Sequence, residues 1–168
     1  MTKLLHKEKI NWEGEEHTLK LFSASSYDGL QPLTQVQTVP FLDDRHIVVY
    51  KHIDVYYGLP GGSLEEGESP ESALAREVRE ECACKILEYG LIGYVLDQQN
   101  GQPTTKQYQL RYWAKVELLD QAVRDPAQKA ISREVVSIKD AADKLQWGER
   151  GEALIRLAIE HYKKRHEK

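Results

Sequence analysis

The stretch Gly61–Cys84, GGSLEEGESPESALAREVREECAC, decides the fold prediction because it combines a turn, a helix start and clustered carboxylates. Ser69 is a suitable N-cap, since its hydroxyl can accept a hydrogen bond from an unpaired N–H group, and Pro70 suits the first helical position. The spacing then predicts a helix over Glu71–Cys82. Its apolar residues recur at i, i+4 and i+8 and form one stripe: Leu74, Val78 and Cys82.

Three glutamates, Glu77, Glu80 and Glu81, share the adjoining face of this helix because they are spaced at i, i+3 and i+4. Like charges at this spacing repel and raise one another's pKa values, whereas a bound divalent cation reverses that effect. Mg²⁺ and Mn²⁺ prefer oxygen ligands, and Mg²⁺ usually takes further ligands from water and substrate phosphates. The carboxylates alone are explained more commonly by a solvated acidic face than by a metal-assisted phosphate site.

The spacing of the residues around these glutamates favours the metal-assisted phosphate site over a solvated acidic face. Five residues separate Gly62 from Glu68, and seven separate Glu68 from Arg76, which opens the run Arg-Glu-Val-Arg-Glu-Glu. The pattern resembles the Nudix box, and six of its fixed positions match in register. The departure is at the end, where Ala83 replaces the usual glycine and Cys84 fills the apolar slot. Because glycine there supplies a left-handed C-cap, Ala83 is expected to cost about 1 kcal/mol without removing a metal ligand.

The resemblance implies a hydrolase that uses Mg²⁺ or Mn²⁺. Its substrate would be a nucleoside diphosphate linked to another moiety (a nucleotide, nucleotide sugar or dinucleotide), cleaved at the pyrophosphate bond. By their positions in the box, Glu77 and Glu81 are the expected metal ligands and Glu80 the next. The backbone carbonyl of Gly61 or Gly62 is expected to add a ligand, since a glycine turn lets the main chain approach closely. The alternative is a Nudix-fold ligand-binding or regulatory module without turnover.

By the same resemblance, Arg76 is expected to orient the site, since its planar guanidinium can hold a carboxylate through two hydrogen bonds. Glu68 would tether the loop through Arg76. Without the family context, a surface ion pair explains Arg76 equally well. The general base stays open, because it must reach the attacking water. Glu80 and Glu134 are the preferred candidates, and Asp97 and Asp120 are the others.

Three residues are predicted to contact the substrate. Tyr57 directly precedes the box and is expected along the substrate cleft, although core packing explains it more simply. Arg45 and Arg111 are expected to meet phosphate oxygens, although strand arginines are as often solvated. Trp12 is interpreted as a packing residue rather than a binding platform. The downstream patterns of Nudix proteins that hydrolyse ADP-ribose, NADH or coenzyme A are not met.

Composition indicates one soluble domain over 1–168, with the box at 62–84 and an N-terminal extension at 1–30. The net charge of −4 argues against nonspecific binding to nucleic acid or a membrane surface. The chain lacks a long apolar run, and its start lacks the apolar core of a signal peptide. Cys82 and Cys84 are too close for an unstrained disulfide and too few for structural zinc. A reduced, cytoplasmic setting is therefore expected, with Cys82 as a small buried apolar residue.

The remaining pattern alternates strands and helices. A β-hairpin is predicted around Glu13-Gly14-Glu15, and in Nudix-like proteins such a piece sometimes serves dimerisation, which allows a homodimer. Further strands are predicted at 33–42, 45–53, 86–97 (with a break at Gly90), 106–118 and 134–137, and helices at 138–145 and 149–164. This order predicts an α/β/α sandwich around a mixed β-sheet, which is also the fold that the Nudix resemblance implies.

Overall fold

The computed structural model describes residues 1–101 and 103–167, so Gln102 and Lys168 of the predicted domain lie outside the described residues. The strands are β1 (Lys3–Trp12), β2 (Glu15–Ser23), β3 (Leu33–Phe41), β4 (His46–His52), β5 (Tyr57–Gly58), β6 (Gly61–Ser63), β7 (Cys84–Gln99), β8 (Thr105–Leu118) and β9 (Ala130–Ser137). The helices are α1 (Pro70–Cys82), α2 (Ala141–Leu145) and α3 (Gly148–His166).

The described strands form one mixed sheet in the order β1-β2-β7-β8-β3-β4-β5, in which β6 also pairs with β3 and β9 with β4. The β3–β8 pair is parallel, whereas the other pairs are antiparallel. Near its end, β3 pairs with β4 through Phe41 and Ile47. Near its start, β3 pairs with β6 over Gln35–Gln37. The glycine turn of the box is thereby fixed to the opening residues of β3.

Helices cover both faces of the sheet, as the alternation along β4 shows. Val48 is fully buried in a cluster that includes Val78 and Cys82 of α1. Its neighbours Ile47 and Val49 point to the other face, into a cluster that contains the buried residues of α3. The structure is therefore an α/β/α sandwich, which confirms the predicted fold class. None of the helices in the described residues combines the length and apolar content needed to cross a membrane.

The N-terminal hairpin is part of the main sheet. Glu13 and Gly14 both have positive φ, 53° and 85°, and close the tight turn between β1 and β2. β2 then pairs with β7 over seven residue pairs. At this seam the buried Asp97 carboxylate lies 2.7 Å from His17 Nδ1 and accepts a hydrogen bond from Gln107. The predicted hairpin is confirmed, and its role in dimerisation stays a prediction.

The ends of α1 follow the sequence prediction. Ser69 is the N-cap, and its hydroxyl accepts from the backbone N–H of Ser72 at 3.1 Å. At the other end Ala83 adopts the left-handed conformation, with φ 48° and ψ 47°, and its N–H donates to carbonyls of the last helical turn. Alanine therefore takes the conformation in which glycine is favoured, and the box keeps its helix C-cap despite the substitution.

Two elements differ from the prediction. The expected break at Gly90 is wrong, because β7 continues through it and Gly90 pairs with Trp113. Glycine is needed there because the Trp113 side chain packs directly on the backbone, where a Cβ would lie 2.6 Å from Trp113 Nε1. The helix predicted to begin at Ile138 begins at Ala141 instead, because residues 138–140 form a turn.

We expect Cys82 to resist thiol reagents in the native protein. Its side chain is fully buried against Val48 and Val78, and this burial raises the pKa of the thiol well above its usual value. Titration with a chromogenic disulfide reagent should give slow labelling that accelerates only on denaturation. Rapid labelling of a Cys84→Ser variant under native conditions would show that the helix register is wrong.

Candidate active site

The box lies along a cleft of about 540 Å³. Its floor is the glycine turn of β6 together with the acidic face of α1, which contributes Glu77, Glu80 and Glu81. Aromatic and polar side chains from β1, β3 and the end of β4 form further walls, and the loop Asp125–Lys129 closes one side. The three box glutamates predicted to share a helix face therefore do share one cleft.

Glu77 and Glu81 are the most buried acidic groups of the cleft, each about 8% exposed. Glu81 Oε2 accepts a hydrogen bond from the Gly61 N–H at 2.9 Å. Burial, followed by the charges of Glu77, Asp125 and Glu80, raises the pKa of Glu81 to about 8. Burial also raises the pKa of Glu77, although the hydrogen bond from Arg76 opposes the shift. The site thus confines negative charge in a poorly solvated place, which favours a proton or a cation there.

Glycine is required where the turn meets these carboxylates. A Cβ on Gly62 would lie 2.3 Å from Glu77 Oε1, and a Cβ on Gly61 would lie 2.4 Å from the carbonyl oxygen of Val36. The two glycines therefore let the β6 backbone pass directly beside β3 and the carboxylate of Glu77. The Gly61 N–H is already donated to Glu81, so the turn fixes the orientation of the second carboxylate as well.

Arg76 is the cation that organises the acidic groups. Its Nε and Nη2 donate to the two oxygens of Glu68 at 2.8 and 3.0 Å, which is a bidentate pair. Its Nη1 lies 2.7 Å from Glu77 Oε1 and 3.5 Å from Glu80 Oε2. Nη2 also donates to the carbonyl of Ser63 at 3.1 Å. The hydrogen bonds from Arg76 hold the pKa of Glu68 at about 2, so Glu68 is ionised and anchors the loop before α1.

The donor set suits a hard divalent cation, although the described residues do not form a complete cage for one. Among these residues, no three acidic, histidine or cysteine side chains converge as ligands on one point. Glu77 and Glu81 nevertheless supply buried oxygen donors at the same cleft, and burial raises the pKa of both, so their ionised forms are disfavoured without a counter-charge. Mg²⁺ commonly takes one or two carboxylates and completes its shell with water and phosphate oxygens. The residues present therefore fit such an ion.

Two residues predicted for the site lie on a different surface. Glu134 on β9 pairs with Lys144 of α2 at 2.8 Å and does not line the cleft. Tyr57 lies beside this pair, with Lys144 Nζ 4.0 Å from the centre of its ring, and lines another cavity. Its neighbour Tyr56 takes the cleft position instead and stacks on His52 at 4.1 Å between ring centres.

Three further candidates are also away from the cleft. Arg45 is exposed in the turn between β3 and β4, at the end of β3 opposite to Gln35, which lines the cleft. Asp97 is buried at the β2–β7 seam, where His17 and Gln107 satisfy it. Asp120 is exposed and does not line the cleft. Arg111 lines a second cavity that adjoins the cleft.

Sequence reasoning missed residues that long-range packing brings to the cleft. Trp12 was expected to pack, but this interpretation is wrong, because it is 55% exposed and lines the cleft from the N-terminal hairpin. Asp125 and Lys129 come from the loop between β8 and β9. The Asp125 carboxylate accepts backbone N–H groups of residues 127, 129 and 130, each at 2.9 Å, and so holds the loop in place. The Asp125-Pro126 turn was the only local signal for it.

Comparison with known proteins identifies the family. The sequence profile of the NUDIX domain matches residues 32–157. A pyrophosphohydrolase of Bacillus subtilis has a similar structure, with TM-score 0.61, 19% identity and coverage of 78% of this chain and 77% of that one. A NUDIX hydrolase from Nitrosomonas europaea gives TM-score 0.57 and 24% identity over 79% of this chain and 88% of its own. A structure described as an ADP compounds hydrolase gives 0.54 and 16% identity over 99% and 96%.

A comparison with curated protein sequences gave no significant match. The structures above share the three-layer α/β/α fold, and here its first helix presents buried carboxylates to a glycine turn. Since the NUDIX profile covers most of the sequence, the chain belongs to the Nudix hydrolase family.

Proposed function

We propose that this protein is a metal-dependent pyrophosphohydrolase that cleaves the diphosphate linkage between a nucleoside and a second moiety. The observation that carries the proposal is the pair Glu77 and Glu81, both buried at the floor of one cleft with raised pKa values. A Mg²⁺ or Mn²⁺ ion held there would neutralise phosphate charge and acidify a bound water. Phosphoryl transfer needs little beyond such positioning and charge neutralisation.

Arg76 acts through the carboxylates rather than on the substrate. By holding Glu68 with two hydrogen bonds and Glu77 with a third, it fixes the loop before α1 to the metal-binding face of α1. Nη1 of the same guanidinium also lies 3.5 Å from Glu80 Oε2. Glu81 lines the same cleft. Its Oε2 accepts the Gly61 N–H, which leaves Oε1 available as a metal ligand.

Glu80 is the best candidate for the general base. It lines the cleft, its side chain is 26% exposed, and its contact to Arg76 is long, so it can reach a water beside the metal ligands. Asp125 also faces the cleft, but both of its oxygens already accept backbone N–H groups. We therefore assign proton transfer to Glu80 and loop support to Asp125.

The other walls suit a nucleotide. Lys129 adds a cation beside the acidic floor, where it can meet a phosphate oxygen that the metal does not contact. Trp12 and Tyr56 are exposed aromatic side chains on the walls, and aromatic faces stack on nucleobases. The nucleoside half of the substrate would lie against these rings while its diphosphate lies over α1.

A panel assay tests the proposal. The protein is incubated with ADP-ribose, dinucleotides, nucleotide sugars and nucleoside triphosphates, including oxidised ones, in Mg²⁺ or Mn²⁺. We expect phosphate-bond cleavage of at least one class, lost in Glu81→Gln and retained in Glu66→Gln, whose glutamate is exposed in the loop before α1. If all three proteins bind a compound of the panel and none of them cleaves it, a ligand-binding module is supported instead.

We expect Gly62→Ala to lower kcat by ~100-fold, because about 1 Å of misplacement at a catalytic group costs that much. The added methyl would overlap the Glu77 carboxylate and push it out of the cleft. Steady-state kinetics on the substrate from the panel, with circular dichroism to check folding, measures the effect. Gly101→Ala is the matched control, since among the described residues the nearest atom to its Cβ would be Pro103 O at 3.9 Å. Wild-type kcat in Gly62→Ala would show that Glu77 does not need its observed position.

A further inference from the structure

A second cavity of about 300 Å³ adjoins the catalytic cleft. The two share a wall made by Gln35 of β3, Tyr50 of β4 and Tyr56. The second cavity extends from this wall, between the sheet and the start of α3, to Arg111 and Arg150. A ligand with its diphosphate over α1 could therefore extend past Tyr50 and Tyr56 into this space.

Arg111 is a buried cation without an acidic partner. Its side chain reaches the face of β8 opposite Leu110 and Tyr112, and the residue is only 7% exposed. Its guanidinium donates to two neutral acceptors, the Leu110 carbonyl at 3.1 Å and Gln109 Oε1 at 2.9 Å. Within residues 1–101 and 103–167, no carboxylate lies within 4.0 Å of it. Such a buried, unpaired charge is costly unless a ligand compensates it.

Arg150 places a second positive charge at the same cavity. It comes from the first turns of α3, and its side chain is 30% exposed. Its Nη1 lies 3.1 Å from Glu8 Oε1 of β1, which orients it without removing it from the cavity wall. Burial, and next the charge of Arg150, lowers the pKa of Arg111 to about 9. Two guanidinium groups therefore line the same cavity.

We propose that this cavity is an anion subsite, in which Arg111 and Arg150 bind a phosphate-like group carried by the distal part of the substrate. The inference rests on the proposed function, because the adjoining cleft is taken to hold the scissile diphosphate. Two guanidinium groups at one cavity match the geometry and charge of a phosphate better than those of a neutral sugar. Substrates with a further phosphate, remote from the cleaved bond, would be preferred over otherwise identical ones without it.

Binding of inorganic phosphate to the metal-free protein tests the subsite without any turnover. With EDTA present and ionic strength held constant with chloride, we expect saturable binding by calorimetry and a matching rise in Tm. Arg111→Met should weaken the affinity at least about tenfold, as expected for loss of charge-assisted hydrogen bonds. Lys106→Met removes an exposed cation of the same strand and is the matched control. It should bind phosphate as the wild type does.

A second variant keeps the test decisive if Arg111→Met does not fold. Arg150→Gln changes a partly exposed side chain and should also weaken phosphate binding by several fold. The side-chain ¹⁵Nε resonance of Arg111 should shift on phosphate addition in the wild type, which locates the ion. Equal affinity in the wild type and both arginine variants, or an equal loss in Lys106→Met, would overturn the subsite.

Kinetics separate this inference from the proposed function. For ADP-ribose and its 2′-phosphorylated counterpart, or for another pair that differs by one remote phosphate, the wild type should favour the phosphorylated member in kcat/KM. Arg111→Met should remove this preference, so that kcat/KM becomes equal for the two members of the pair. Phosphate binding at Arg111 with no hydrolysis of any substrate would contradict the proposed function alone. Hydrolysis without phosphate binding or preference would contradict the subsite alone.

Discussion

Replacement of Glu81 by glutamine is expected to lower kcat by roughly 10³-fold, since a metal ligand supplies several kcal/mol of transition-state stabilisation. The same change should leave the metal-free protein at least as stable as the wild type. Glutamine keeps an oxygen that can accept the Gly61 N–H, and it removes a carboxylate crowded by Glu77 and Asp125. Glu77→Gln should also lower kcat and leave the metal-free protein at least as stable as the wild type, because the Glu77 carboxylate is equally buried.

The difference in the free energy of unfolding between Glu81→Gln and the wild type should depend on pH in a defined direction. The pKa of Glu81 is about 8 in the folded protein, above its ordinary value of 4.5. Between these values the folded state binds a proton that the unfolded state does not, so the wild type loses stability as pH rises through this window. Glu81→Gln lacks this titration. Its advantage over the wild type in EDTA should therefore be larger at pH 9 than at pH 5.

Urea denaturation in EDTA at both pH values, together with kinetics in Mg²⁺, measures these effects. Mg²⁺ should raise the Tm of the wild type but not that of Glu81→Gln, because a ligand that binds only the folded state stabilises it. Glu66→Gln, at an exposed position of the loop before α1, should match the wild type in both assays. Marked unfolding of both Glu77→Gln and Glu81→Gln in EDTA would assign these glutamates a structural role and contradict the account.

Replacement of Arg76 by glutamine is expected to affect both activity and folding. Its removal leaves Glu68, Glu77 and Glu80 without their shared counter-charge, so we expect a loss of about 2 kcal/mol in the free energy of unfolding. We expect kcat to fall by ~100-fold, because the loop and the metal-binding carboxylates are no longer fixed together. Arg76→Lys should recover part of the stability but little of the activity, since an ammonium cannot make the bidentate pair to Glu68.

The decrease in the free energy of unfolding at acid pH, here called the acid limb, provides a separate check on the role of Arg76. The pKa of Glu68 is lowered to about 2 from its ordinary value of 4.5, so its pairing stabilises the protein above pH 4.5. This contribution is lost as pH falls through about 2, and it should be smaller in Arg76→Gln, where Glu68 keeps only the hydrogen bond from the Glu65 N–H. Arg79→Gln, an exposed arginine of the same helix, is the control and should keep the wild-type acid limb. An unchanged limb in Arg76→Gln would show that the bidentate pair does not form in solution.

The box helix was predictable because its signals are local. Ser69, Pro70 and the apolar stripe lie within a few turns of one another, so capping and periodicity determine the helix without distant contacts. The same holds for the hairpin turn at Glu13 and Gly14. The clustering of Glu77, Glu80 and Glu81 follows from helix geometry alone, and the structure places all three at one cleft.

The remaining cleft residues depend on long-range packing, which spacing does not encode. Trp12 reaches the cleft only because β2 pairs with β7 and carries the hairpin with it. Asp125 reaches it because β8 and β9, whose positions depend on distant strands, carry the ends of its loop. Tyr56 and Tyr57 both line a neighbouring cavity, but Tyr56 also lines the cleft and Tyr57 does not, so a shift of one residue decides which aromatic ring reaches the site. Arg45 is excluded by its position at the wrong end of β3.

The central claim, that α1 holds a divalent cation against a diphosphate, is tested most directly by diffraction from crystals saturated with Mn²⁺ and a non-hydrolysable diphosphate. The account predicts an anomalous difference peak in the cleft at about 2.1 Å from carboxylate oxygens of Glu77 and Glu81. Carboxylates turned away from the cleft, with no peak at saturating Mn²⁺, would contradict it.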